Sequence, residues 1–273
     1  MLNHLKRAVV LCCLFLCLPL SAQFITFTEK QYQSGGYIIV QAAPRSSVEF
    51  LGKSYLLDSK GYLAIGLGRD VSGKHRITIA SPSGEVKRST LNIASRQYKV
   101  QRVNGVPPSR VTPPDDVAKR IAAEAAQVRE ARANVGDYDF WRTDTFQWPI
   151  EGRVTGVYGS ERFYNGIASG SPHWGIDLAA PKGEPVYAPA GGKIVLAEDD
   201  LYYSGGTIIL DHGAGVSSTF LHLSSVDVKV GQWVKKGDPI AAVGSTGRST
   251  GPHLDWRMNV RDVRIDAALW VKE

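Results

Sequence analysis

The chain has 273 residues, 43% of them hydrophobic and 21% charged, which exceeds what one average domain needs and excludes wholesale disorder. Lys and Arg number 32 against 26 Asp and Glu, and this mild excess contains no long basic run, so nucleic acid is excluded as an expected partner.

In chain order, the first element is an apolar stretch from Ala8 to Leu20 that follows Lys6 and Arg7 and ends at Ser21-Ala22. It is too short to span a bilayer comfortably and reads as a secretory signal peptide over residues 1–22. All three cysteines, Cys12, Cys13 and Cys17, lie inside it, so a cleaved chain would fold without disulfides and without thiolate chemistry. Residues 146–273 hold 12 Lys/Arg and 14 Asp/Glu. The positive charge of the mature chain therefore sits in its N-terminal half.

From 23 to 105, short alternating runs such as Tyr37–Val40, Ser47–Leu51, Tyr62–Leu67 and His75–Ile79 are separated by glycine-containing turns, the pattern of a small all-β sandwich. Val106-Pro107-Pro108 and Thr112-Pro113-Pro114 then interrupt any sheet, because proline restricts its own and its predecessor's backbone and donates nothing to a ladder. Residues 106–145 are expected as a linker. Within it Asp115-Asp116 opens a helix whose narrow apolar stripe, Val117, Ile121 and Val128, suits a helix lying against a domain. After Trp148-Pro149 the runs are short and apolar again with glycine at nearly every turn, so residues 146–273 are expected as a compact, mostly antiparallel sheet domain. The whole chain reads as mainly β: sandwich, linker helix, antiparallel sheet.

Four of six histidines fall between 173 and 253. His173 and Asp177 stand four apart, about 13 Å along a straight strand at about 3.3 Å per residue, so both can reach one ion only if the chain bends near Gly175. His253 and Asp255 share one strand face while Leu254 and Trp256 take the other. His222 lies in a third run, where strict alternation would put Phe220 on the histidine's face. His212 reads as a turn residue bonded locally, and Arg162, Tyr202 and Tyr203 as groove residues of no assigned role. Spacing alone leaves independent surface residues as an equal alternative.

His173-x-x-x-Asp177, His222-Leu223-Ser224-Ser225, the stretch Val228–Ile240 and Val243–Leu254 together resemble the lysostaphin-type (LytM-like) zinc peptidases of the cell wall, in order from about Trp148 to the end. The resemblance implies a zinc endopeptidase acting on peptidoglycan stems or cross-bridges, with His173 and Asp177 as metal ligands and His222 and His253 as the acid/base pair. Where that family has a third, histidine ligand this chain has Asp255, and a carboxylate oxygen reaches about as far from Cβ as an imidazole Nδ1. The implied ligand set is His173, Asp177 and Asp255 around Zn2+. The segment 1–22 predicts secretion, to the periplasm or beyond, and an envelope protein is the partner expected through the N-terminal domain. The departure at Asp255 keeps open a second reading, a domain that binds the wall or activates another hydrolase. A lipoyl-type carrier, suggested by Val230–Ile240, is disfavoured because the turn Gly244–Arg248 carries no lysine.

Overall fold

The computed structural model describes residues 32–133 and 135–271. The expected signal segment, with its three cysteines, lies outside them. Six strands open the fold: β1 (Tyr37–Gln41), β2 (Ser47–Phe50), β3 (Lys53–Leu56), β4 (Tyr62–Gly66), β5 (Gly73–Ala80) and β6 (Val86–Ile93). They pair as a four-stranded sheet, β3-β2-β5-β6, and a two-stranded one, β1-β4, the expected sandwich. Its core is made where alternate residues meet: Val48, Phe50, Ile77 and Ile79 from one sheet against Ile38, Val40, Leu63 and Ile65 from the other. The opposite face of the small sheet is buried too. Tyr37 and Ala64 join the core of the C-terminal region, and Ile39 and Tyr62 pack against it.

β7 (Val100–Val103) follows, then helix α1 (Pro108–Val111), a 3-10 turn at Asp115–Val117, helix α2 (Ala118–Ala133) and the short helix α3 (Phe140–Thr143). The range 23–105 read from the sequence thus runs past the sandwich, whose last strand ends at Ile93: β7 pairs in parallel with β9 (Glu161–Tyr164), with β10 (Ile167–Ala168) on the far side. A four-residue strand whose partner lies some sixty positions away leaves no local pattern to read. α2 meets the expectation of a helix lying on a domain, with Ala131 buried and Val128 packed on Leu196, Leu201 and Ile209.

The remaining strands are β8 (Arg153–Gly156), β11 (Ile176–Ala179), β12 (Pro185–Tyr187), β13 (Gly192–Leu201), β14 (Gly205–Gly213), β15 (Val216–Leu223), β16 (Ser225–Val226), β17 (Trp233–Val234), β18 (Pro239–Ala242), β19 (His253–Val260) and β20 (Val263–Ile265). The main sheet runs β17-β13-β14-β15-β19-β11-β8, with β20 also on β19, and β12-β18-β16 forms a small second sheet. All these pairs are antiparallel. Along β19, Leu254, Trp256, Met258 and Val260 enter the apolar core with Phe220, Ile208 and Ile176. Alternation leaves His253, Asp255, Arg257 and Asn259 on the other face.

Candidate active site

The bend expected near Gly175 is present: β11 begins only at Ile176, so His173 sits on the irregular approach to the strand. A side chain at Gly175 would put a Cβ 2.1 Å from Asp255 Oδ1, and one at Gly156 would put it 2.2 Å from Asp177 Oδ2. Two glycines therefore make the room in which the acidic residues converge. Asp177 and Asp255 are direct cross-strand partners of β11 and β19.

His173 Nε2 lies 3.0 Å from Asp177 Oδ1 and 3.4 Å from Asp255 Oδ2, and a ligand atom from each of the three falls within 4.8 Å of the others. His173 Nδ1 lies 3.2 Å from the Val157 carbonyl, a contact that orients the ring with Nε2 inward when Nδ1 carries the proton. Among the described residues, the buried His173 Nε2 and Asp177 Oδ1 have no close partner but each other and Asp255. A tetrahedral ion with bonds of about 2.0–2.2 Å spaces its ligands about 3.3–3.6 Å apart. The donor set fits zinc in type, and the 3.4 Å from His173 to Asp255 matches that spacing, while the 3.0 Å from His173 to Asp177 would open slightly around an ion. Buried donors left without partners are costly unless something occupies the space between them.

The carboxylates also have cationic partners. Asp177 Oδ2 accepts from Arg162 Nη2, and Arg162 is fixed in turn by Gln101 Oε1 at 3.0 Å. Arg257 Nε lies 3.1 Å from both Asp255 oxygens, with Nη2 2.5 Å from Oδ2. Neither arginine was assigned to the site by sequence reasoning. Arg257 was findable, since it stands two residues beyond Asp255 on the same strand face. Arg162 was not, since β9 reaches Asp177 only through tertiary packing.

His222 corrects the strand reading. It adopts φ 66°, and after this left-handed residue the core position of β15 moves to Leu223, which joins Phe220 in the apolar core. The histidine is thereby released from the face of Phe220, and its ring centroid lies 4.8 Å from that of His253. A non-glycine residue in this conformation stores strain of the sort common at functional sites. His222 Nδ1 faces the Thr246 carbonyl at 2.8 Å, and His253 Nδ1 faces the Gly251 carbonyl at 2.8 Å. His253 Nε2 lies 3.9 Å from Asp177 Oδ1.

The histidines differ electrically. Burial alone would lower His173, but the Asp255 and Asp177 carboxylates outweigh it and raise its pKa. Burial, reinforced by His253, pushes His222 down to about 4, so it is neutral at pH 7 and able to accept a proton. Asp255 is held well below the usual carboxylate range because Arg257 and His173 overcome its burial.

The site opens into a cavity of about 250 Å³ lined in part by Gln101, Arg162, Asp177, Arg248 and His253. Arg248 stacks on Tyr164 at 4.4 Å and on Tyr203 at 4.8 Å, which places Tyr203 and Arg162 near the groove. Tyr202 is instead buried, bonded to the Ser109 carbonyl at 2.7 Å. His212 is not in a turn: it is enclosed within β14, with Nδ1 2.7 Å from the Gly191 carbonyl and Nε2 2.8 Å from Ser218 Oγ.

Comparison with known proteins agrees with this geometry. The pattern of Peptidase family M23 matches residues 171–267. The peptidoglycan DD-endopeptidase ShyB of Vibrio cholerae is 42% identical over 96 residues, covering 35% of this chain and 22% of ShyB. The murein hydrolase activator NlpD of Escherichia coli is 36% identical over 120 residues, 44% of this chain and 30% of NlpD. A solved structure from Pseudomonas aeruginosa assigned to peptidase M23 superposes with TM-score 0.67 at 27% identity, covering 88% of this chain and 95% of that one. The chain spans about a quarter of the length of the curated relatives it matches.

Proposed function

We propose that this chain, whose residues 171–267 form a Peptidase family M23 domain, is an exported zinc endopeptidase that hydrolyses peptide bonds in peptidoglycan. The observation that carries the reading is the convergence of His173, Asp177 and Asp255 within 4.8 Å, with inward atoms that among the described residues face only one another. Those three residues would hold the ion. When bound, zinc would supply Lewis-acid polarisation of the scissile carbonyl and an acidified water. The chain's own part is proton handling. With Nδ1–H directed at the Thr246 carbonyl, His222 keeps an Nε2 lone pair free to take a proton from water, and its depressed pKa keeps that lone pair available at neutral pH. His253, oriented through the Gly251 carbonyl, is placed beside it, and the proton that His222 takes from water passes to the leaving amine, so both histidines end as they began. The groove floored by Asp177 and walled by Gly251–His253 and Gln101 would align an extended peptide.

Export rests on residues 1–22, and the envelope location accords with relatives named as peptidoglycan endopeptidases and a murein hydrolase activator. An envelope protein engaging the N-terminal sandwich belongs to the same proposal.

A second reading is favoured by one feature. Arg257 clamps Asp255 and Arg162 bonds Asp177, so both carboxylates are charge-compensated by the protein itself. That arrangement suits a domain that binds the wall or activates another hydrolase without cleaving. Metal content of the purified chain, with digestion of isolated peptidoglycan with and without chelator, tests both. The enzyme reading expects one zinc per chain and chelator-sensitive release of peptides. Absence of bound zinc together with absence of cleavage favours the second.

A further inference from the structure

Beyond Arg257 the same face of β19 continues to the buried Asn259, which shares a cavity with the C-terminal end of α2. The cavity, of about 630 Å³, is lined by Ala125, Val128, Val135, Asn259 and four arginines, Arg129, Arg132, Arg261 and Arg264. No carboxylate among the described residues forms an ion pair with any of the four. Asp262, the acidic residue on the rim, is bonded to Lys53 at 2.8 Å. Among the described residues Arg132 Nε, Arg261 Nε and Arg264 Nη1 are buried without a hydrogen-bond partner, so an anion in the cavity would meet the remaining nitrogens of these guanidinium groups, Arg132 Nη2 being bonded to Thr219 Oγ1 at 3.3 Å.

Burial and the neighbouring Arg257 push Arg132 down to about 10, and burial with Arg257 and Arg132 pushes Arg264 down to about 9. Both still carry a charge at neutral pH. Clustered cations with unmet donors are destabilising on their own, and an anion among them removes both costs. Donors from three separate arginines suit a tetrahedral oxyanion, whose several oxygens can each accept, better than a carboxylate with two. The Val128, Ala125 and Val135 wall adds an apolar surface beside the charge.

We propose that this cavity binds a phosphate-bearing amphiphile, with the phosphate on Arg132, Arg261 and Arg264 and the attached chain along Val128 and Val135. The site needs no metal and is separate from the histidine cluster. The phosphate could come from a lipid headgroup or from a soluble phosphomonoester.

Calorimetric titration of the full chain at low ionic strength with hexyl phosphate, inorganic phosphate and hexanol tests it. Hexyl phosphate should bind at least about tenfold more tightly than inorganic phosphate, with no binding of hexanol, and Arg132→Gln and Arg264→Gln should each weaken it about tenfold or more. If the variants fold poorly, phenylglyoxal modification of the unaltered chain gives the same answer. Hexyl phosphate should then shield the peptides bearing Arg132 and Arg264, as read by mass spectrometry. Retention on phosphatidylglycerol vesicles but not phosphatidylcholine vesicles, reversed by hexyl phosphate, supports a lipid source. Hexyl phosphate binding without vesicle retention supports a soluble one. The proposal is overturned if hexyl phosphate neither binds nor shields, if folded variants bind it as tightly as the parent, or if hexaglutamate binds as tightly as hexyl phosphate.

Discussion

The two ends of one face of β19 carry opposite problems. At the His253–Asp255 end, two buried carboxylates stand within reach of His173; at the Arg257–Asn259 end, four arginines crowd one cavity beside Asp262, whose ion pair is with Lys53. Arg257 joins them: it bonds Asp255 on one side and its charge falls on Arg132 and Arg264 on the other. The difference teaches that acidity at a metal-type site is tolerated where compensation is built from both a guanidinium and room for a cation. Among the described residues the cationic end has no paired carboxylate on its arginines, only room for an anion.

The largest expected effect is on the acidic end. Asp255→Ala should leave two protein donors and reduce zinc affinity by orders of magnitude, as measured by competition with a chromophoric chelator. Asp255→His should preserve binding. His222→Ala should keep the metal while losing most turnover, since the residue is assigned to proton transfer. Loss of zinc from His222→Ala would exchange its role with that of a ligand.

Next is the residue that links the two ends. Arg257→Met should cost about 4 kcal/mol in the zinc-free chain, because it strands the buried Asp255 carboxylate, and much less in the zinc-loaded one, where the cation compensates it. Denaturant titrations with and without zinc check this. Equal losses in the two states would mean that Asp255 does not meet the ion.

These effects bear on how far the sequence could be read. The residues at 173, 177, 222, 253 and 255 were drawn together by the family resemblance of the motifs that carry them, where spacing alone left independent surface residues as an equal alternative. The sandwich was legible where Ile38, Val40, Leu63 and Ile65 alternate. What was not legible depends on contacts between distant segments. Arg162 reaches Asp177 from a neighbouring part of the fold, β7 finds β9 across the linker, and the positive φ of His222 cannot be inferred from an alternating string of residues. His212 looked like a turn residue because Asp211 and Gly213 flank it, yet the strand carries it into the interior.

A comparable effect concerns the small sheet that serves two cores. Tyr37 stacks on Trp270 with centroids 4.0 Å apart, so Tyr37→Ala should cost about 3 kcal/mol and destabilise both regions in one transition. Two separate transitions, only one of them shifted, would show that the sandwich and the C-terminal sheet region fold independently. The smallest expected effect is a pH dependence away from the site. His212 is held at about 4 by burial, so below about pH 6.5 the unfolded chain takes up a proton that the folded chain does not. Stability should therefore fall as pH drops from about 6.5 towards 4, by about 2 kcal/mol at pH 5 from this residue. His212→Gln should remove that share of the fall and leave the equal share that His222, also held at about 4, contributes.

The most direct measurement is anomalous diffraction at the zinc edge from crystals of the chain grown with one equivalent of zinc. The account expects a single strong peak at about 2.0–2.2 Å from His173 Nε2 and from one oxygen each of Asp177 and Asp255, with Arg257 still bonded to Asp255. A site without a peak, Asp255 engaged by Arg257 alone, would contradict it.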